Sequence, residues 1–203
     1  MGRLKEWKIE LESDKMSEVA KNMIEKHHYS GTARSQHPKA TYRLIDPNGK
    51  VKGVAVFGTP CSANVEQFYG TPGKVLELRR LVMVPPKPKN AGSFFLSGAL
   101  RHLKNNTDYE VVVSYADPNY GHTGGIYRAS NFVLMGEEMG NANKIVLYKG
   151  RKYTIRQVYQ KNKNTGSYHK KSMELQKAIK SGEAKLVPQK RKIIYAYPLK
   201  EQR

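Results

Sequence analysis

The order of its hydrophobic patterns predicts an α/β fold: a mixed central β-sheet flanked by helices, in a single domain with a basic C-terminal extension. Three observations predict it. Apolar residues recur at helical spacing around 16–24 and 93–103, short β-rich runs lie between and after those stretches, and the positive charge is regional. Of the net charge of +19, residues 144–203 contribute +14, from 17 Lys and Arg against 3 Asp and Glu.

Each element has its own signal. Trp7, Ile9 and Leu11 alternate with polar residues, as in a half-buried strand. Ser13-Asp14 offers a helix cap, and Met16, Val19, Ala20, Met23 and Ile24 follow on one helical face until Gly31 turns the chain. Residues 41–45 and 51–57 flank Asn48-Gly49, a pair suited to the positive φ angles of a hairpin turn. The Gly-, Pro-, Ser- and Thr-rich segment 58–74 reads as a loop. Residues 75–84 form a strand whose polar members, Glu77, Arg79 and Arg80, cluster instead of alternating. Pro85-Pro86 ends it, and Phe95, Leu96, Ala99, Leu100 and Leu103 mark a second helix. A buried strand at 110–115, a short helix at 126–130 and a strand from 132 complete the core, assigned to 1–143. Beyond it, 144–203 reads as a hairpin turning at Lys149-Gly150, a helix at 172–181 and a last strand at 193–197.

Composition narrows the function. The chain's 203 residues suit one core, and 13 Tyr, 5 Phe and one Trp supply its bulk without staples. A single cysteine, Cys61, permits no internal disulfide, suits a reducing cytoplasm and reads as a small buried side chain. No apolar run reaches the roughly 20 residues of a membrane span. A regional excess of Lys and Arg implies a polyanionic partner, bound by release of condensed counterions.

Two segments carry candidate chemistry. The helix that follows PKPKNAG presents unpaired N–H groups across Lys89, Asn90, Ala91, Gly92, Ser93 and Phe94, a ready position for a phosphate or pyrophosphate. In SYADPNYGHTGGIYRASNF, residues 114–132, Ser114 and Asp117 lie at the carboxyl end of a buried strand, where open α/β sheets build their sites. Gly121, Gly124 and Gly125 permit close backbone approach, His122 titrates near neutrality, and the Tyr127 phenol suits proton donation. Each has a plainer role open to it: Asp117 as a turn cap, Tyr127 as a core aromatic and His122 as an exposed loop residue.

The element order, with IYRASNF as a short helix after a buried strand, resembles the GNAT acyltransferase fold. HYSG at 28–31, ELRRLV at 77–82, the helix SFFLSGALRHL and SYADPNYGHTGGIYRASNF together resemble the phage Mom family of DNA-modifying proteins. The resemblance implies a GNAT-like mixed sheet, acetyl-CoA or a related acyl-CoA at the start of the 93–103 helix, and a reaction on adenine N6 in double-stranded DNA that yields a carbamoylmethyl derivative and protects phage DNA from restriction. Host cytoplasm is the compartment so implied. Asp117 and Tyr127 become the principal catalytic candidates, with Ser114 close by and His28, Tyr29, Arg79 and Arg80 lining the cleft. Tyr29 and Tyr120 are candidates to stack on a flipped base. Arg151, Lys152, Arg156, Lys161, Lys163, Lys170 and Lys171 are the candidate DNA contacts.

Carbamoylmethylation joins nitrogen to a CH2 carbon, whereas acyl transfer joins it to a carbonyl carbon. That difference makes a metal such as iron a candidate cofactor, with His28 and His122 as ligands. Two other functions fit the residues: acyl transfer to another amine, and nucleic-acid binding without catalysis. The loop PKPKNAGS departs from the Gln/Arg-x-x-Gly-x-Gly/Ala signature of ordinary GNAT enzymes.

Overall fold

The computed structural model describes residues 4–33, 37–138, 144–161 and 165–200. They divide into two compact units, Met1–Ala116 with His122–Gly136 and Ile193–Arg203, and Asp117–Gly121 with Glu137–Lys192. The partition therefore differs from a single cut at 143/144, because the last strand returns to the first unit.

In the first unit, β1 (Lys8–Ser13), β2 (Pro38–Ile45), β3 (Val51–Gly58) and β4 (Val75–Met83) pair antiparallel in succession. β4 then pairs parallel with β5 (Val111–Ala116). Strand β10 (Ile193–Pro198) lies antiparallel to β5, between it and the edge strand β6 (Val133–Glu137), to give a seven-stranded mixed sheet. The β2–β3 turn draws one positive φ from the Asn-Gly pair, at Gly49. Asp46 supplies the rest, its Oδ1 accepting the N–H groups of Asn48 and Lys50 at 2.9 Å.

Helix α1 (Glu18–His27) begins later than Ser13-Asp14 suggests, because Ser17 caps it through the N–H of Ala20. Ala20 and Ile24 pack on Val54, Val56 and Val82. Val19, expected on the same stripe, is exposed. So is Leu11, beside a register shift in β1. On the opposite sheet face α3 (Ala91–Asn106) buries Phe95, Leu96, Ala99, Leu100 and Leu103 against Tyr42, Leu44, Phe57 and Leu76. Each large side chain buried there stabilises by about 1.5–3 kcal/mol. Residues 63–69, expected as loop, form α2 (Ala63–Tyr69), capped by Ser62, with Val65 and Tyr69 packed on Val75 and Val111.

In the second unit β7 (Lys144–Tyr148) is the central strand between β8 (Arg151–Thr154) and β9 (Lys185–Pro188). The turn at Lys149-Gly150 falls where expected, both residues having positive φ. The chain beyond Thr154 turns into α5 (Ile155–Val158) because Thr154 and Gln157 form a reciprocal capping box. Helix α6 (Lys170–Lys180) buries Leu175 and Ala178 against Val146, Tyr148 and Val158.

Candidate active site

The site starts from an irregularity in β4. Its pairing with β3 moves from Phe57↔Leu78 to Val56↔Arg80, so Arg79 is the extra residue of a β-bulge. The same stretch ends the pairing with β5, which runs only from Val75↔Val111 to Glu77↔Val113 although both strands continue. Their carboxyl-terminal halves are left unpaired with each other, the place where an open α/β sheet can admit a ligand. The bulge also explains why Glu77, Arg79 and Arg80 break the alternation of the strand.

At this end of the sheet α3 begins with Asn90 in the left-handed conformation, φ 63°, and no side chain caps the helix. The Ala91 N–H reaches Pro88 O at 3.3 Å, and the Phe94 N–H takes Asn90 O at 2.9 Å. The N–H groups of Gly92 and Ser93, between them, have no intrahelical acceptor by helix geometry. A side chain at Gly92 would meet Ile126 Cδ1 at 2.8 Å, which brings α4 (Gly125–Arg128) against this first turn. Lys89 and Asn90 are exposed, Ala91 is buried, and Gly92, Ser93 and Phe94 are half-buried. The uncapped turn fits an anion such as the pyrophosphate of coenzyme A.

Ser114, on β5, is fully buried, and its Oγ has no hydrogen-bond partner. The Tyr127 hydroxyl, from α4, lies 3.5 Å from Tyr115 O and beside the Ser114 hydroxyl. Burial raises the Tyr127 phenol above its ordinary value, the neighbouring Ser114 hydroxyl opposes the rise, and Tyr195 adds to it. Tyr127 is thus held as a neutral proton donor beside a second hydroxyl with spare capacity.

A ring cluster follows. His28 and Tyr29 lie 4.3 Å apart by centroids and Tyr29 and His122 lie 5.2 Å apart. Burial, with the charges of Arg80 and His122 nearby, depresses the His28 imidazole to about 4. Its Nδ1 accepts the Ser30 N–H at 3.1 Å and lies 2.8 Å from Ser30 Oγ. The neutral ring therefore carries its proton on Nε2. Arg80 belongs with this cluster, its Nε donating to Thr32 O at 3.3 Å. Arg79 turns elsewhere, donating to Thr59 O at 2.8 Å and facing Glu77 at 4.0 Å.

The expectation of a metal at His28 and His122 does not fit these residues. Nδ1 of His28 is engaged by a backbone N–H, which leaves Nε2 protonated. Among the described residues no group of three or more His, Cys, Asp or Glu is arranged to hold an ion. Cys61, expected to be buried, is exposed, because it starts the segment leading into α2. Its N–H donates to Glu77 Oε2 at 3.0 Å.

Residues 13–203 match the model of the Mom protein family. The chain belongs to the Mom family. No curated protein matches it. Among solved structures, the Mom-family chain resembles an IAA acetyltransferase from Bacillus cereus ATCC 14579, at 12% identity over 95% of this chain and 99% of the other, with a TM-score of 0.53. A Bacillus subtilis acetyltransferase in complex with CoA gives 8% identity over 95% and 98%, with a TM-score of 0.52. The chain spans 61% of the length of the ribosomal-protein-S5-alanine acetyltransferase from Vibrio fischeri, covering 78% of itself at 9% identity and a TM-score of 0.45. The fold of the Mom-family chain is that of the GNAT acetyltransferases.

The second unit holds the remaining candidates. Asp117 is buried and takes the plainer of its two expected roles: Oδ1 accepts the Asn119 backbone N–H at 2.9 Å and Nδ2 at 2.8 Å, capping the turn Pro118–Tyr120. Arg151, Lys152, Lys161, Lys170 and Lys171 are exposed. Lys171 pairs with Glu174 at 2.9 Å and lies over the rings of Tyr148 and Tyr153. Lys161 lies over Tyr168 and Lys152 over Tyr120, itself exposed. Arg156 falls within α5, and Lys163 lies outside the described residues. No helix among the described residues is long and apolar enough to cross a membrane.

Sequence reasoning missed two residues of the candidate site. Tyr195, fully buried on β10, donates to Thr123 O at 3.1 Å, and Arg128 Nη1 reaches both Thr123 O at 2.7 Å and the Tyr195 hydroxyl at 2.9 Å. The alternation of Ile193, Tyr195 and Tyr197 marks one face of a strand, but nothing local says which loop that face meets.

Proposed function

We propose that this chain is a DNA-modifying transferase that converts adenine N6 in double-stranded DNA to its carbamoylmethyl derivative, protecting phage DNA from restriction. Family membership supplies the reaction class. The observation that carries the reading is the ring cluster His28–Tyr29–His122, an aromatic surface with a neutral His28 that suits stacking on a flat base. An adenine within a duplex reaches such a surface only after leaving the stack. The exposed cations of the second unit are suited to neutralise DNA phosphates.

In this reading the pyrophosphate of an acyl-CoA is received by the N–H groups of Gly92 and Ser93 with Lys89. An acyl-CoA, when bound, would supply a thioester-activated acetyl group and take away a thiolate; the carbamoylmethyl product, with nitrogen on the CH2 carbon and a carboxamide, further requires a nitrogen donor and a two-electron oxidant as co-substrates. Tyr127, kept protonated, donates its proton where charge leaves, and Ser114 offers a second hydroxyl for developing charge. Asp117 is the candidate carboxylate of this reading. Its Oδ1 doubles as a turn cap, so Asp117→Asn keeps the cap while removing the carboxylate.

Co-expression with a plasmid, followed by mass spectrometry of its nucleosides, tests the reading. The expected product is carbamoylmethyl-deoxyadenosine, and the plasmid should gain resistance to restriction enzymes. Tyr127→Phe and Asp117→Asn should each lower the modified fraction by about 100-fold or more, the scale of a lost general acid or base, at unchanged melting temperature. Unmodified deoxyadenosine in cells with abundant soluble protein would sink the assignment.

A further inference from the structure

We infer that Tyr195 and Arg128 form a positioning pair that fixes both Tyr127 and the loop bearing His122, so that the candidate active site is completed by the last strand of the chain. The inference rests on the reading of Tyr127 as the proton donor. Four observations in one unit converge on it. Tyr195 stands opposite Ser114 in the β5–β10 register, which puts the two side chains on the same sheet face. Its ring centroid lies 5.2 Å from that of Tyr127. Its hydroxyl donates to the carbonyl of Thr123, the residue after His122, and accepts from Arg128, the residue after Tyr127. Arg128 closes the triangle by donating to the same carbonyl.

The backbone is shaped for this contact. Gly124, at φ 76°, lies directly against the Tyr195 ring, and a β-carbon there would collide with Cε2, Cζ and the hydroxyl oxygen. The glycine thus lets the ring enter beneath the loop, and the two hydrogen bonds to Thr123 O hold the loop on it. His122 and Tyr127, on either side of Gly124, receive their positions from one buried phenol. Tyr195 acts through Tyr127 and the loop.

The test uses the full chain. Tyr195→Phe keeps the ring and removes both hydrogen bonds of the hydroxyl, and Arg128→Met, at an exposed position, removes the guanidinium. Each should lower adenine modification by about 10- to 100-fold, the scale of a small misplacement of reacting groups. In a Tyr127→Phe background, Tyr195→Phe should cost less than it does in the parent, because the share of its effect that runs through Tyr127 is already lost.

A readout without activity comes from the 13Cζ resonance of Tyr127, assigned by its loss in Tyr127→Phe. Its titration should move down, toward the ordinary phenol value, in Tyr195→Phe. An unchanged Tyr127 resonance and titration in both variants would overturn the inference, and so would independent, multiplying losses in the double variant. Full modification by Tyr127→Phe would instead remove Tyr127 from the reaction, while the resonance would still decide whether Tyr195 positions it.

Discussion

His28 shows how a single residue's protonation is set by three neighbours. Burial disfavours the imidazolium, Arg80 and His122 repel it, and the Ser30 N–H occupies the lone pair on Nδ1. The folded ring has a pKa of about 4 against 6.5 for the free side chain, so below pH 6.5 the unfolded chain takes up the proton first. The contribution of this group to stability is therefore complete above pH 6.5 and is lost as the pH falls from 6.5 to about 4. Urea midpoints at pH 7 and pH 4.5 should show His28→Gln losing less stability across that interval than the parent. Identical pH dependence would contradict the assignment. Ser114, Asp117, His122 and Tyr127 stand out in the sequence because polar residues and glycines crowd the end of one apolar strand. The surroundings of His28 and Tyr127 do not, because Arg80 and Tyr195 reach them only through the fold.

Among the elements, β4 and the Gly124-Gly125 segment decide most. The extra residue at Arg79 is visible in advance as a break in alternation, whereas its consequence, the end of pairing with β5, depends on a strand more than thirty residues away. Helix α2 escaped notice because seven residues bounded by Ser, Pro and Gly carry too little periodicity to outweigh loop composition, and packing of Val65 and Tyr69 on the sheet forms it. Two glycines supply a controlled experiment. Gly121 and Gly124 share a φ of 76°, but a β-carbon at Gly121 meets open space and one at Gly124 meets the Tyr195 ring. Gly121→Ala should cost about 1–2 kcal/mol from backbone strain alone. Gly124→Ala should cost about 1–3 kcal/mol more from overpacking. Chemical denaturation of the two variants measures the difference, and equal losses would rule out the contact with Tyr195.

At the scale of the molecule, charge and connectivity are separately organised. Most of the excess of Lys and Arg belongs to the segment from 144 onward, and among its exposed members Arg151 and Lys152 sit on β8 and Lys170 and Lys171 in the first turn of α6. Fluorescence anisotropy with duplex DNA should give a Kd that weakens linearly with salt on logarithmic axes. Replacing Arg151, Lys152 and Lys170 with Gln should reduce that slope by about 0.9 for each phosphate no longer neutralised. Tyr127→Phe should leave it unchanged. A slope indifferent to the triple replacement would move the DNA-binding surface elsewhere.

By itself the sequence determined the kinds and order of most elements, the regional charge, and the crowding of polar residues and glycines along SYADPNYGHTGGIYRASNF, because periodicity, turn chemistry and composition act over short distances along the chain. Only the tertiary structure decided that residues 193–198 cross back into the core sheet between β5 and β6, that His28 is held beside Arg80 and His122, and that Tyr195 underlies the loop of His122 and Tyr127. Each of those outcomes joins residues far apart in the chain, whose proximity follows from hydrogen bonds and packing that no local pattern encodes.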